Sequence, residues 1–341
     1  MLMTPPAPHP LLECGVAVRA PGRLHLGFLD PSASLGRRYG SLGLVVDGFE
    51  TVVELRRAET TGFSAADAPA QAEGERALAH IAALQRATQR STPLHLHLAR
   101  VLPAHAGFGS GTQLALAVGR AFAALHGLDL CTSALARLLG RGVRSGVGIA
   151  GFDHGGLLLD GGPGEDGCTA PLLARLELPS DWRVLLVLDP SLRGLSGAGE
   201  KNAIATLPAF ARGDAAAVCH EVLMRVLPGA ASGDFAAFAA GLNEVQRRVG
   251  GHFAPAQGGR LYISARVERL CHWIAQHGVA ATGQSSWGPT GFAILPSQAE
   301  AERLLAQAHA SGAVDAALLT TIVAARNIGA SVQPLDSSFT C

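Results

Sequence analysis

A glycine-rich loop that runs straight into an apolar helix constrains this chain more than any other segment. Residues 103–113 read PAHAGFGSGTQ, and the run that follows is apolar. Glycines let backbone N–H groups converge, and the first turn of a helix has N–H groups without intrahelical partners, so the segment can bind an anion with help from the hydroxyls of Ser110 and Thr112. No lysine follows the last glycine, so it is not a Walker A loop. Taken alone, the segment is equally typical of an ordinary helix start.

Composition excludes several classes of protein. The chain has 341 residues, more than one domain at roughly 150 residues each. Hydrophobic residues make up 48% and charged residues 16%, which permits a sizeable core and excludes disorder as the main state. Basic and acidic residues number 27 each, so there is no basic excess of the kind that a nucleic-acid-binding protein needs.

The cysteines and the apolar segments bear on location. Six scattered cysteines without a C-x-x-C pair indicate neither a zinc site nor a disulfide framework, so a reducing cytoplasm is expected. The first basic residue is Arg19, unlike in a secretory signal peptide. The most apolar helical stretch, 114–128, contains Arg120 and is too short to cross a bilayer, so no membrane partner is expected.

Hydrophobic periodicity predicts two α+β domains, a first at 14–175 and a second at 181–341, with the boundary near 171–181. Strict alternation at 94–98 indicates a half-buried strand, and the apolar run 182–188 indicates a strand in a sheet interior. The other predicted strands are 14–19, 44–46, 51–55, 157–160, 291–295 and 319–323. The predicted helices are 74–90, 112–128, 131–141, 214–227, 234–249, 264–277 and 299–310.

Three segments occur in the order of the motifs of the GHMP kinase superfamily, which the chain resembles. They are APGRLHLG at 20–27, the loop at 103–113 and TGQSSWGPTG at 282–291. The resemblance covers nearly the whole chain. It implies an N-terminal domain like domain 2 of ribosomal protein S5, a ferredoxin-like C-terminal domain, and a loop that wraps phosphates.

Three departures from the kinase pattern make ordinary phosphoryl transfer doubtful. Many GHMP kinases carry a P-S-G-x-D segment whose aspartate accepts the substrate proton, and residues 144–148 read RSGVG here. Gly111 replaces the second serine of the loop, and Trp287 stands where kinases keep glycines.

These departures resemble one branch of the superfamily, the β-ribofuranosylaminobenzene 5′-phosphate synthases of methanopterin biosynthesis. The segments that carry the resemblance are 22–30, 38–43, 144–152 and 283–289. The resemblance implies that phosphoribosyl pyrophosphate is joined to the ring carbon of 4-aminobenzoate or 4-hydroxybenzoate, with release of CO2 and pyrophosphate. It also implies Mg²⁺ as a cofactor and a homodimer. The alternatives are a GHMP small-molecule kinase without a catalytic carboxylate and a non-catalytic ligand-binding relative.

This chemistry assigns candidate residues to three roles. The departing pyrophosphate needs cations and N–H donors, and the aromatic acid needs a flat wall and an orienting arginine. The candidates for donor and phosphate binding are Arg23, His25, Arg37, Arg38, Ser41, Gly107, Gly109, Ser110, Gly111, Thr112 and Gln113. The candidates for binding the aromatic acid are Arg144, Ser145, Gln284, Ser285, Ser286 and Trp287. The catalytic candidates are Asp30, Asp153 and Lys201.

Each assignment has a structural alternative. Without the motif, each of Arg23, Arg37 and Arg38 is more typical of a solvated surface. A large aromatic residue such as Trp287 usually belongs to the core. Lys201 is the only lysine in a chain that otherwise uses arginine, which suggests a phosphate contact as much as chance survival on a surface loop. His95 and His97 share one face of a strand, but without a third ligand they do not predict a metal site.

Overall fold

A computed structural model of the protein describes residues 15–164, 168–194, 203 and 206–335. Its first sheet has seven strands, in the order β11-β1-β2-β4-β3, with β5 paired to β2 and β6 paired to β5. These strands are β1 (Gly15–Asp30), β2 (Tyr39–Arg57), β3 (Gly62–Ala65), β4 (Leu94–Arg100), β5 (Leu157–Asp160), β6 (Leu172–Leu176) and β11 (Ser331–Pro334).

The antiparallel pair of β1 and β2 carries the first motif. Its register shifts twice, between Pro21 and Arg23 and between His25 and Gly27. Such bulges bend a strand and re-aim side chains. The two shifts therefore bracket Arg23 and His25.

The described residues of the first half of the chain form five helices. They are α1 (Ala68–Ala72), α2 (Gly74–Thr88), α3 (Ser110–Leu125), α4 (Thr132–Leu138) and α5 (Val147–His154). Helix α3 is apolar on nearly every side, from Leu114 to Leu125, because it packs among the sheet and helices α2, α4 and α5. Its burial fixes its N-terminus where the glycine-rich loop arrives.

The second sheet has four antiparallel strands in the order β10-β7-β9-β8. In chain order this is 4-1-3-2 with helices in both crossovers, the ferredoxin-like arrangement. The strands are β7 (Arg183–Leu188), β8 (Ala281–Gln284), β9 (Thr290–Leu295) and β10 (Leu319–Ala324). The helices are α6 (Arg212–Glu221), α7 (Leu227–Ser232), α8 (Phe235–Phe253), α9 (Ala265–His277) and α10 (Gln298–Ala310), with a π-helical turn at Val222–Val226 and a 3₁₀ turn at Ala254–Gln257.

One hydrophobic cluster joins the two halves. Leu24 and Phe28 of β1 belong to the same buried cluster as Trp182, Phe238 and Phe292 of the second half. The two sheets therefore share a core, which holds the motifs from both halves close together. In the described part of the chain, no helix is long and apolar enough to cross a membrane.

The prediction of an α+β fold with a ferredoxin-like second half is confirmed. The periodic segments are found close to their predicted bounds, for example helix α2 and strand β4. The short strands expected at 14–19, 44–46 and 51–55 are instead parts of the long strands β1 and β2. Helix 214–227 is interrupted by the π-helical turn.

The last strand departs from the expected domain bounds. Ser331–Pro334 lies in the range assigned to the second domain, yet it pairs with β1 at the edge of the first sheet. Four residues that include a proline give no periodic signal, and the pairing is set by contacts distant in sequence. The division into 14–175 and 181–341 otherwise stays a prediction.

Candidate active site

A cleft of about 520 Å³ opens where the three glycine-rich motifs meet. It is lined by residues of β1, of the loop at 105–112, of the segment 140–145 and of the turn at 286–288, together with Arg76 of α2. Four of its lining residues are arginines, and none of the described lining residues carries a carboxylate. The cleft is therefore suited to an anion.

The phosphate loop, residues 105–112, ends at the N-terminus of α3. Gly107 has φ +100° and Gly109 has φ +73°, a backbone region that side-chain-bearing residues rarely adopt. The carbonyl of Gly109 accepts hydrogen bonds from the N–H groups of Thr112 and Gln113, each at 3.0 Å. The geometry of a helix start leaves the N–H groups of Ser110 and Gly111 without intrahelical partners. An anion at this point meets two backbone donors and the positive end of the helix dipole.

Ser285 fastens the third motif to the other two. Its hydroxyl accepts a hydrogen bond from the main-chain N–H of His25 at 3.0 Å and donates one to the carbonyl of Gly107 at 2.7 Å. The N–H of Ser286 donates to the carbonyl of His25 at 3.2 Å. Ser285 was predicted to contact the aromatic acid, but its side chain is fully buried and occupied by these two bonds.

Arg23 lies against the phosphate loop. Its main-chain N–H donates to the carbonyl of Phe108 at 3.1 Å, and its guanidinium donates to the carbonyl of Gly107 at 3.3 Å. A Cβ on Gly109 would stand 2.9 Å from the Cζ atom of Arg23. The first motif thus delivers a cation to the phosphate loop.

Arg76 and Arg141 also line the cleft, and neither was predicted from the sequence. Both guanidinium groups lie beside Gly111, since a Cβ there would be 3.5 Å from an Arg141 nitrogen and 3.8 Å from an Arg76 nitrogen. Helix α2 carries one other arginine, Arg86, and its sequence does not distinguish which of the two faces the cleft. The run GRGVR at 140–144 was a usable signal, because Arg144 had already been placed in a motif.

His25 is neutral at physiological pH. Burial and the positive charges of Arg23 and Arg144 lower its pKa from 6.5 to about 3. Its Nε2 atom is buried and has no hydrogen-bond partner among the described residues. A neutral imidazole supplies no positive charge to a phosphate, so the geometry does not support donor binding by charge at His25.

A smaller cavity of about 30 Å³ lies beside the cleft and shares His25, Phe28, Ser286 and Trp287 with it. The ring of Trp287 is 3% exposed and packs 4.6 Å from the ring of Phe253. Trp287 therefore belongs to the core and also lines the wall of the cleft.

Comparison with known proteins identifies the family. The models named GHMP kinases N terminal domain and GHMP kinases C terminal match residues 75–156 and 226–314. The chain is 33% identical over 329 residues to a β-ribofuranosylphenol 5′-phosphate synthase of Archaeoglobus fulgidus, covering 93% of this chain and 99% of that protein. The chain belongs to the β-ribofuranosylphenol 5′-phosphate synthase family. This confirms the predicted branch of the superfamily and the prediction of a pentosyltransferase enzyme.

Other similarities agree with this family. A β-ribofuranosylphenol 5′-phosphate synthase of Methanothermobacter thermautotrophicus is 28% identical over 296 residues, covering 81% of this chain and 88% of that protein. A homoserine kinase from Cytophaga hutchinsonii superposes with a TM-score of 0.67 at 17% identity, covering 98% of this chain and 100% of that chain. The second similarity concerns the fold alone.

The two aspartates predicted as catalytic do not line the cleft of this synthase-family chain. The carboxylate of Asp30 is buried and accepts hydrogen bonds from the N–H of Ser32, the hydroxyl of Ser34 and the N–H of Leu35. Asp153 is exposed on α5, and its carboxylate accepts a 2.5 Å hydrogen bond from the hydroxyl of Thr132. Asp30 holds its own turn, and the catalytic roles stay predictions without support from the cleft geometry.

Four predicted donor-binding residues also lie outside the cleft lining. Arg37 is exposed and donates to the carbonyls of Gly161 and Gly162, and Arg38 is exposed beside it. Ser41 is buried in β2 opposite Asp160. The amide of Gln113 donates to the carbonyl of Gly148 at 2.9 Å, which ties α3 to α5.

The segment before α5 brings Arg144 and Ser145 to the cleft. Asp160, which was not predicted as a site residue, holds this segment. Its carboxylate accepts hydrogen bonds from the N–H groups of Gly146 at 2.8 Å and Val147 at 3.2 Å, and from the hydroxyl of Ser145 at 3.3 Å. Burial raises the pKa of Asp160, although these bonds oppose the shift.

Of the remaining predicted residues, Gln284 and Ser286 line a cavity. Gln284 lines the small cavity, where its amide donates to Gln257 at 2.8 Å and accepts from the N–H of Ile263 at 2.6 Å. Ser286 lines both cavities. Lys201 lies outside the described residues.

The described residues include no cluster of His, Cys, Asp and Glu that could hold a metal ion. The hydroxyl of Ser64 lies between His95 and His97, 2.9 Å and 2.8 Å from their ring nitrogens. These two histidines therefore have a hydrogen-bond partner in Ser64.

Proposed function

We propose that this chain transfers ribosyl 5-phosphate from phosphoribosyl pyrophosphate to 4-hydroxybenzoate or 4-aminobenzoate, with release of CO2 and diphosphate, as a step of tetrahydromethanopterin biosynthesis. The observation that carries the proposal is the cleft, in which four arginines and the N-terminus of α3 converge and none of the described lining residues carries a carboxylate. Membership of the synthase family supports the same reaction. The matched relatives are named for a phenol product, so 4-hydroxybenzoate is the first acceptor to test.

The reaction balances without a general base at the ring. The bond from ribose C1 to diphosphate breaks, and its electron pair leaves with diphosphate. The ring carbon that carries the carboxylate attacks C1 and forms a carbon–carbon bond. The bond to the carboxylate then breaks, its electron pair restores the aromatic ring, and CO2 leaves. No proton is removed from that carbon, so a cleft whose described lining lacks a carboxylate is compatible with the chemistry.

The electrostatics of the cleft favour this charge separation. As diphosphate leaves, negative charge grows on its oxygens, and fixed N–H groups and guanidinium groups stabilise such charge without reorganisation. The phosphate loop and Arg23 serve the donor in this proposal. Arg144 binds the carboxylate of the aromatic acid as a bidentate pair, beside the wall formed by Trp287.

Mg²⁺ dependence stays part of the proposal, but the described cleft residues do not form a protein ligand set for the ion. Mg²⁺ prefers oxygen ligands, and the described lining of the cleft has no carboxylate. We therefore derive no catalytic step through Mg²⁺. A titration of donor affinity against Mg²⁺ tests whether the ion arrives with the diphosphate group.

The direct test uses carboxyl-labelled acids. Purified protein is incubated with phosphoribosyl pyrophosphate and either 4-hydroxybenzoate or 4-aminobenzoate, and labelled CO2 is trapped. Release that requires phosphoribosyl pyrophosphate supports the proposal, and the faster acid identifies the para substituent. If the protein consumes ATP and releases no CO2 from either acid, the proposed transferase activity is wrong and a kinase activity takes its place.

A further inference from the structure

Two arginines outside the three motifs converge on the first turn of α3. Arg76 comes from α2, and Arg141 comes from the segment that follows α4. Ideal Cβ geometry at Gly111 places both guanidinium groups within 3.8 Å of that position. They lie where the helix start offers the N–H groups of Ser110 and Gly111.

The positive charge at this place exceeds what the protein itself compensates. Glu73 forms an ion pair with Arg76 at 2.9 Å and is the only carboxylate among the described residues that pairs with either arginine. Burial and the neighbouring charge of Arg76 lower the pKa of Arg141, while Glu73 opposes the shift. The Nε atom of Arg141 is buried and has no hydrogen-bond partner among the described residues. An anion bound in the cleft would offset the repulsion between the two arginines.

We propose that Arg76, Arg141 and the first turn of α3 form the subsite for the diphosphate group of the donor, which also binds inorganic diphosphate after it leaves. The inference rests on the proposed function and fixes the orientation of the donor in the cleft. Two guanidinium forks and two backbone N–H groups match the several oxygens of two linked phosphoryl groups. The departing end of the donor then lies at the α2 side of the cleft, and the side with Arg144 and Trp287 receives the aromatic acid.

Calorimetric titration with inorganic diphosphate tests the subsite without turnover. Arg76→Gln and Arg141→Gln are each expected to weaken diphosphate binding tenfold or more. The matched controls are Arg86→Gln on the same α2 helix and Arg137→Gln on α4, both exposed and outside the cleft lining. They remove the same charge and are expected to change the affinity less than twofold.

Gly111→Ala is a second variant that separates binding from folding. The added Cβ would make only ordinary contacts, the nearest at 3.5 Å from Arg141, and alanine favours a helix. The variant is expected to keep the wild-type melting temperature while the methyl group, within 3.8 Å of both guanidinium groups, weakens diphosphate binding at least fivefold.

The subsite is wrong if the wild type does not bind diphosphate, or if both arginine variants bind it within twofold of the wild type. Its failure is distinguishable from that of the proposed function. Labelled CO2 release together with unchanged diphosphate affinity in the variants refutes the subsite alone. Arginine-dependent diphosphate binding without CO2 release from either acid refutes the function alone.

Discussion

The hydroxyl of Ser285 lies 2.7 Å from the carbonyl oxygen of Gly107 and joins the turn after β8 to the phosphate loop. The hydroxyl oxygen of Ser285 also accepts a hydrogen bond from the main-chain N–H of His25 at 3.0 Å. Residues separated by 178 and 260 positions in the chain are thus held by one buried atom. The shape of the cleft depends on this junction.

Ser285→Ala is expected to lower the free energy of unfolding by about 1–3 kcal/mol, because it leaves the buried N–H of His25 without its acceptor and removes one of the two hydrogen bonds to the carbonyl of Gly107. The phosphate loop also loses an anchor, so KM for the donor is expected to rise. Denaturant unfolding and steady-state kinetics measure the two effects. The matched control is Ser232→Ala, which removes an exposed serine bonded within its own helical turn. If both substitutions change the unfolding free energy and KM for the donor equally, Ser285 does not hold the motifs together.

Arg144→Gln is expected to raise KM for the aromatic acid tenfold or more while it changes KM for the donor less. The reason is the loss of a charge-assisted pair worth about 1.5–3 kcal/mol. Arg144→Lys keeps the charge without the fork and is expected to recover only part of the loss. Steady-state kinetics with each substrate varied in turn checks this. If only KM for the donor rises, Arg144 binds the phosphates of the donor and not the aromatic acid.

Stability is expected to fall in acid partly through His25. Its folded pKa of about 3 lies below the unfolded value of 6.5, so the unfolded state binds the proton first. The contribution to stability is intact above pH 6.5 and is lost as the pH falls toward 3. Between pH 7 and pH 5 this single group accounts for about 2 kcal/mol. Urea unfolding at pH 7 and pH 5 should show a smaller loss of unfolding free energy in His25→Gln than in the wild type. An identical loss in both proteins would contradict the buried neutral state of His25.

Asp160→Asn is expected to destabilise the protein by about 1–3 kcal/mol. The carboxylate accepts hydrogen bonds from the N–H groups of Gly146 and Val147, and an amide nitrogen in its place cannot accept them. The segment that carries Arg144 loses its anchor, so activity is expected to fall as well. Thermal unfolding and kinetics measure both. Asp181→Asn, at an exposed position, is the control and should leave both unchanged.

Local pattern was sufficient for much of the fold and for the centre of the site. The glycine-rich loop predicted an anion-binding helix start, and the structure places both N–H donors and Arg23 there. Local pattern could not select Arg76, because only the packing of α2 against α3 distinguishes it from Arg86. The pairing of β11 with β1 likewise depends on contacts distant in sequence.

The aspartates predicted as catalytic show a second limit of prediction from sequence. Asp30 was chosen because the chemistry suggested a carboxylate, yet Asp30, Ser32 and Ser34 form a turn that satisfies the carboxylate locally. Aspartate and serine in that spacing favour such turns, so the sequence held this alternative. His25 was placed among the donor-binding candidates as part of the first motif, and only its burial and the nearby charges of Arg23 and Arg144 show that it is neutral.

The most direct measurement of the central claim is the stoichiometry of CO2 and diphosphate in one reaction mixture. With phosphoribosyl pyrophosphate and carboxyl-labelled 4-hydroxybenzoate or 4-aminobenzoate, the account predicts equal amounts of both products, formed only when donor and acid are present together. Diphosphate release without labelled CO2, or no release of either product with both acids, would contradict it.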